Sequence, residues 1–142
     1  MVSSVQRNDL VREVAVAFAA CTRVVGNDVD ELVRPSRLTA PLAELLWNLD
    51  PETDPPAMKD LALTMRCDRS NVTTLVERLG ALGLVNRSED PLDRRSKVVT
   101  LTPAGRATRT VTAGALGEDS AFAALSDGDL VELARLLALL GA

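Results

Sequence analysis

The chain has no histidine and no tyrosine, two cysteines (Cys21 and Cys67), and only 2% aromatic residues. Each scarcity excludes something. Without histidine there is no imidazole general base, and two cysteines supply neither the usual zinc-ligand set nor a disulfide framework. With so few rings the core has to be built from Leu, Val and Ala, which favours helices. No run reaches the roughly 18 apolar residues of a membrane span, and no apolar N-terminal stretch has the form of a secretory signal. The expectation is a cytoplasmic protein with no membrane partner. Nor can a nucleophile–base pair, a metal cluster or a phosphate-cradling glycine loop be read, so an enzyme is not expected, nor a cofactor.

What is present is one domain's worth of chain, 142 residues of which 46% are hydrophobic. The net charge of −4 argues at first against a nucleic-acid partner. Its distribution says more. Residues 1–65 carry six basic and ten acidic side chains, residues 66–106 eight and five, and residues 107–142 two and five. The middle segment is therefore positive by three between two acidic flanks, the footprint of a confined electrostatic contact.

That positive segment holds the most legible pattern. From Asp68, a suitable N-cap, apolar residues recur at Val72, Leu75, Val76, Leu79 and Leu82, the spacing of one buried helix face. At about 100° per residue the opposite face carries Ser70, Thr73, Thr74 and Glu77, with Asn71 and Arg78 on a flank. Small hydroxyl and amide groups can approach base edges, and both donate and accept hydrogen bonds. Gly83 stands where the left-handed residue after a helix belongs. Leu84–Arg87 and Lys97–Leu101 read as two strands, with Glu89, Asp90, Pro91 and Asp93 forming the turn and Arg94 and Arg95 near its tip. Thr102-Pro103 then caps a further helix. Helix, hairpin and helix in this order describe a winged helix-turn-helix.

The run Asp93-Arg94-Arg95-Ser96-Lys97-Val98-Val99-Thr100-Leu101-Thr102 resembles the D-x-R-…-L-T wing signature of the MarR (multiple antibiotic resistance regulator) family. Leu79–Arg87, with its L-…-G-L-V-x-R pattern, is similar to the segment before the wing there. The resemblance implies that Arg95 is the wing arginine entering the minor groove, oriented through a salt bridge from Asp93. It also implies that the first and last helices interlock two subunits, and that small aromatic acids bind between those helices and the reading head.

The rest of the chain fits that order. Residues 9–34 read as a long helix whose stripe of Leu10, Val14, Ala17, Cys21 and Val24 is broadened by Phe18, Val25, Val29 and Leu32; Gly26 invites a bend. A stripe so wide needs either intrachain packing or a second subunit. Thr39–Asp50 reads as a helix with Pro41 in its first turn, and Pro51, Pro55 and Pro56 mark a loop. Met58–Met65 and the helix after Asp68 form the helix-turn-helix proper. Beyond Pro103 a helix runs toward Leu116, with a break expected around Gly117–Asp119. Ser126-Asp127-Gly128-Asp129 looks like a capping box for a leucine-rich last helix.

The expected fold is thus mainly α with a small β-wing. Residues 36–105 form the winged helix DNA-binding region, with 1–35 and 106–142 as dimerisation helices of one domain. The expected function is a homodimeric regulator of transcription, a repressor, on a pseudo-palindromic duplex-DNA operator, released by a small-molecule or oxidant signal. Ser70, Asn71, Thr73 and Thr74 are the base or phosphate readers, against the plainer reading of a solvated helix face. Arg69 and Arg78 are placed to reach phosphates, with Arg94 and Lys97 as weaker phosphate contacts. Cys21 invites a redox role, but its apolar neighbours suggest a small buried residue, and packing is also the simpler account of Cys67. Trp47, with Met58 and Met65, either lines an effector pocket or packs in the core. The alternative from another class is a winged helix module for protein–protein contact, which the acidic balance would suit.

Overall fold

A computed structural model describes residues 3–141, which form six α-helices and a two-stranded hairpin. Helix α1 (Ser4–Val33) starts earlier than its apolar stripe suggests, because Ser3 and Gln6 form a capping box ahead of it. Only its C-terminal end enters the core, through Val29 and Val33. A short 3-10 turn over Arg34–Ser36 leads to α2 (Ala40–Asn48). Asp30 ties the two together, since its Oδ1 accepts from the Ala40 N–H at 2.8 Å. Thr39 occupies the N-cap position of α2, yet its hydroxyl makes no capping bond; Asp30 satisfies that end instead.

Helix α2 lies at the centre of the core, with Leu42, Leu45, Leu46 and Leu49 at most 2% exposed. Against it pack Met58 and Leu61 of α3 (Met58–Thr64) and Val72, Val76 and Leu79 of α4 (Arg69–Ala81). The aliphatic core expected from the shortage of rings is what forms. Met58 is wholly part of it, while Trp47, Met65 and Cys67 are half-buried along its edge.

Both helices of the helix-turn-helix end in the same device. Cys67 N–H donates to Ala62 O and Arg66 N–H to Leu63 O; after α4, Leu84 N–H donates to Leu79 O and Gly83 N–H to Gly80 O. The left-handed residue of the second motif is Gly83, at φ +74°, but that of the first is Arg66, at φ +50°. Its guanidinium lies beside Gly141 at the end of the chain, close enough that a Cβ on Gly141 would come within 2.7 Å of Nη2. The glycines flanking the end of α4 should respond oppositely to alanine. Gly80 is helical and its Cβ would make only an ordinary contact, 3.9 Å from Val85 O, so Gly80→Ala should add about 0.5–1 kcal/mol. Gly83→Ala should cost about 1–2 kcal/mol because of its positive φ. Thermal unfolding should show the two midpoints moving in opposite directions.

The hairpin pairs β1 (Val85–Glu89) with β2 (Lys97–Leu101) antiparallel, from Val85 opposite Leu101 to Glu89 opposite Lys97. It is longer on the β1 side than the expected Leu84–Arg87, since Ser88 and Glu89 find partners across the ladder. A bridge from Ala57 to Val98, with Val99 N–H donating to Pro56 O at 3.1 Å, fastens the wing to the start of α3.

Thr102 caps α5 (Pro103–Asp119), its Oγ1 accepting from Gly105 N–H and donating to Gly83 O. Helix α5 passes Gly114 and Gly117 and ends at Asp119, at the break expected around Gly117–Asp119; extended Ser120 then leads into a short 3-10 turn over Ala121–Ala124. Asp28 of α1 accepts from Ala121 N–H at 3.0 Å and holds that corner. Helix α6 (Asp127–Leu139) opens on the expected capping box of Ser126 and Asp129, whose hydrogen bonds hold the Asp129 carboxyl below its ordinary value. Glu132, paired with Arg135 at 2.7 Å, is likewise lowered. No described residue of α6 is buried, and no described helix is long and apolar enough to cross a membrane.

Cys21 corrects an expectation. It is exposed in the single chain, because α1 turns its N-terminal two-thirds away from the core that receives Val29 and Val33.

Candidate nucleic-acid interface

Helix α4 buries Val72, Val76 and Leu79 and leaves Arg69, Ser70, Asn71, Thr74, Glu77 and Arg78 exposed. The polar face is where the periodicity places it; Thr73 sits lower, half-buried at its margin. The threonines differ from expectation in what they offer. Thr73 Oγ1 donates to Arg69 O at 2.9 Å and Thr74 Oγ1 to Ser70 O at 3.0 Å. Their hydroxyl protons are engaged with the helix backbone, so each oxygen is left to act as an acceptor. Ser70 and Asn71 form no side-chain hydrogen bond among the described residues, so their donors are free for a ligand. Asp68 holds the N-cap position of α4 without a capping bond from its carboxylate.

A cation that no local pattern marks joins this face. Arg37, left-handed at φ 64°, lines one shallow recess with Arg78, Leu42, Ala81 and Leu82. Its position comes from the turn between α1 and α2, so only the tertiary packing brings it to the end of α4. Nearer the N-terminal end of α4 and on the same side of the helix, Asn71, Thr74 and Leu75 share a cavity of about 330 Å³ with Pro41, Glu44, Met65 and Cys67. Cys67 is thus a half-buried free thiol in the cavity beside α4.

The wing carries its charges in an ordered turn. Asp90 N–H donates to Ser96 O at 3.1 Å, closing the tip above the last strand pair. The Asp93 carboxylate accepts from the main-chain N–H of Arg95 at 3.0 Å, and Asp93 O from Ser96 N–H at 2.9 Å. Asp93 therefore orients Arg95 through the backbone, and the three salt bridges among the described residues do not include the pair. Arg94 and Arg95 are exposed. Glu89, expected in the turn, belongs to β1 and stands 3.5 Å from Lys97 across the ladder. The pair is solvent-exposed and weak, so Lys97 can exchange it for a phosphate at little cost. Arg87 adds an exposed cation on β1.

Trp47 lies elsewhere. Its Nε1–H donates to Thr112 Oγ1 at 2.9 Å, and its carbonyl accepts from Arg109 Nη2 at 3.3 Å, locking α2 to α5. Arg109 Nε is buried there without a hydrogen-bond partner among the described residues.

Residues 38–105 match the family model of a winged helix DNA-binding domain. No curated protein sequence matches the chain. Among solved structures, it is 31% identical to a probable transcriptional regulator from Pseudomonas aeruginosa, with 86% of this chain and 95% of that one covered and a TM-score of 0.67. It is 25% identical to a MarR-family transcriptional regulator from Rhodococcus sp. RHA1, covering 90% and 91%, with a TM-score of 0.74. CouR from Rhodococcus jostii RHA1, bound to p-coumaroyl-CoA, is also 25% identical over 90% and 91%, with a TM-score of 0.75.

Proposed function

The chain belongs to the MarR family of winged helix-turn-helix transcriptional regulators, and on that premise we propose that it acts as a homodimeric repressor on a pseudo-palindromic operator. A DNA-binding regulator of transcription is what its family and fold describe, and neither is that of an enzyme. In the proposal, α4 enters the major groove with Ser70, Asn71 and Thr74 toward base edges and Thr73 at the margin. Arg69 and Arg78 hold phosphates on either side. Arg95 reaches the adjacent minor groove, and Arg94 and Lys97 meet the backbone. Residues 36–105 are the reading head; 1–35 and 106–142 are the arms that pair two heads about one DNA turn apart.

The observation that carries the dimer is the uncovered apolar length of α1 and α6, with Leu10, Val14 and Phe18 exposed on the first and no described residue buried on the second. For the release signal, a small molecule lodging beside Trp47 is the reading that the local chemistry supports. The buried Nε–H of Arg109 is a donor that an anionic group on an effector would satisfy, and the similar CouR is bound to an acyl-CoA. An effector that binds better when the heads are at another spacing would weaken DNA binding by that difference. Cys21 lies exposed on the α1 stripe and would be covered by a partner subunit, which leaves oxidation the weaker candidate signal.

Fluorescence anisotropy on the DNA upstream of its own gene, against a scrambled duplex and across salt, checks the proposal. Binding should favour the native duplex and weaken steeply with salt. Equal binding to both duplexes would discard sequence-specific repression there.

A further inference from the structure

At the tip of the wing Leu92 is 97% exposed, more than any other large apolar side chain of the described residues. It is nevertheless held in place. Asp90 Oδ1 accepts from the Leu92 N–H at 2.9 Å, the same i to i+2 arrangement by which Asp93 Oδ1 holds the Arg95 N–H at 3.0 Å. Asp90 O also accepts from Asp93 N–H at 3.2 Å, and Pro91 restricts the backbone between them. Both carboxylates of the tip are thereby engaged with main-chain amides of the turn, and Glu89 faces Lys97. Pro91, Leu92, Asp93, Arg94 and Arg95 are all exposed at the tip, so it presents an apolar residue beside two guanidinium groups.

We infer that Leu92 is a second reading residue of the wing, lying against the deoxyribose edges of the minor groove beside Arg95. The inference rests on the DNA-binding reading above and goes beyond it in assigning an apolar contact to a surface otherwise read by charge. Sugar C–H edges are the apolar surface a duplex presents at that depth, and an apolar side chain there favours steps at which the groove opens readily. Such a contact has its own signature. It buries apolar area and releases no counterions, so it contributes affinity without contributing to the salt slope.

Leu92→Ala, measured by anisotropy on the native upstream duplex and its scrambled control from low to high salt, tests this. Expected is a loss of about three- to ten-fold on the native duplex at every salt, as for removing part of a buried leucine contact. The slope of log affinity against log salt should match the wild type, and the native-to-scrambled ratio should fall. A variant with wild-type affinity and ratio throughout overturns the inference. So does a loss that comes with a shallower slope, because Leu92 would then act only by displacing an arginine. Wild-type protein that binds neither duplex, even at low salt, overturns the DNA-binding reading and this inference together. A wild type that binds while Leu92→Ala matches it removes this inference alone.

Discussion

Val14→Asp is expected to convert the protein to a monomer and to lower its affinity for the operator at least about 100-fold. Helix α1 is 30 residues long, yet every residue from Ser3 to Val24 is exposed in the single chain. Leu10, Val14 and Phe18 follow one another at intervals of four and are 54%, 55% and 47% exposed. A helix projecting so far without cover would be marginal in water, since most helical stability in proteins comes from packing an apolar face. Helix α6 has the same problem, with Leu136, Leu139 and Leu140 exposed and none of its described residues buried. Two uncovered faces on one chain suit a two-fold pairing in which each covers its counterpart. An aspartate in the middle of the α1 face would have to give up its water with no partner, which an interface of this kind does not tolerate. The reading head has its own core around α2 and should stay folded. DNA binding would still fail, because two heads on one dimer bind with an effective concentration that separate heads lack. Light scattering and anisotropy on the same preparations decide it. A Val14→Asp protein that stays dimeric and binds like the wild type would take α1 out of the interface.

The parts of this fold that were legible in the sequence are those whose signals are local. Helix α4, its glycine terminus, the hairpin and the caps at Thr102 and Ser126 are each specified by residues within one or two turns of one another, and they stand where periodicity and turn chemistry place them. The departures share another cause. Thr39 and Asp68 have the right residue type for a cap but make no capping bond, and at α2 the donor is met by Asp30 from another helix. Cys21 belongs to an apolar stripe, but a stripe does not say whether its cover comes from the same chain. Arg37 reaches the neighbourhood of Arg78 through the packing of α1 on α2, and no spacing rule could have paired them. The hydroxyls of Thr73 and Thr74 turn back onto their own helix, a choice of rotamer invisible at the level of residue type. Composition thus indicated where charge would gather, while the direction in which each group points depends on its neighbours in space.

Arg95→Ala is expected to cost about 1–3 kcal/mol of specific binding, roughly 5- to 150-fold, and to make the salt dependence shallower by about one unit for each head of the dimer. The argument starts from the backbone. Arg95 sits in a closed turn whose ends are joined by Asp90 N–H to Ser96 O, and its own N–H is fixed by Asp93. The ordering entropy of the main chain is thus met in folding, so that binding has only the side chain to immobilise. A guanidinium held in this way can enter a narrow minor groove, where the potential of the phosphates is concentrated. Two further variants separate charge from geometry. Arg95→Lys keeps the charge and should preserve most of the salt slope while losing affinity, since an ammonium lacks the planar fork. Asp93→Ala keeps Arg95 intact but frees its N–H, and should lose affinity with the slope unchanged, because the same cation still reaches the DNA at a greater ordering cost. If Arg95→Ala binds the native duplex with wild-type affinity and slope, the wing is not a reading element, and α4 would have to account for the specificity alone.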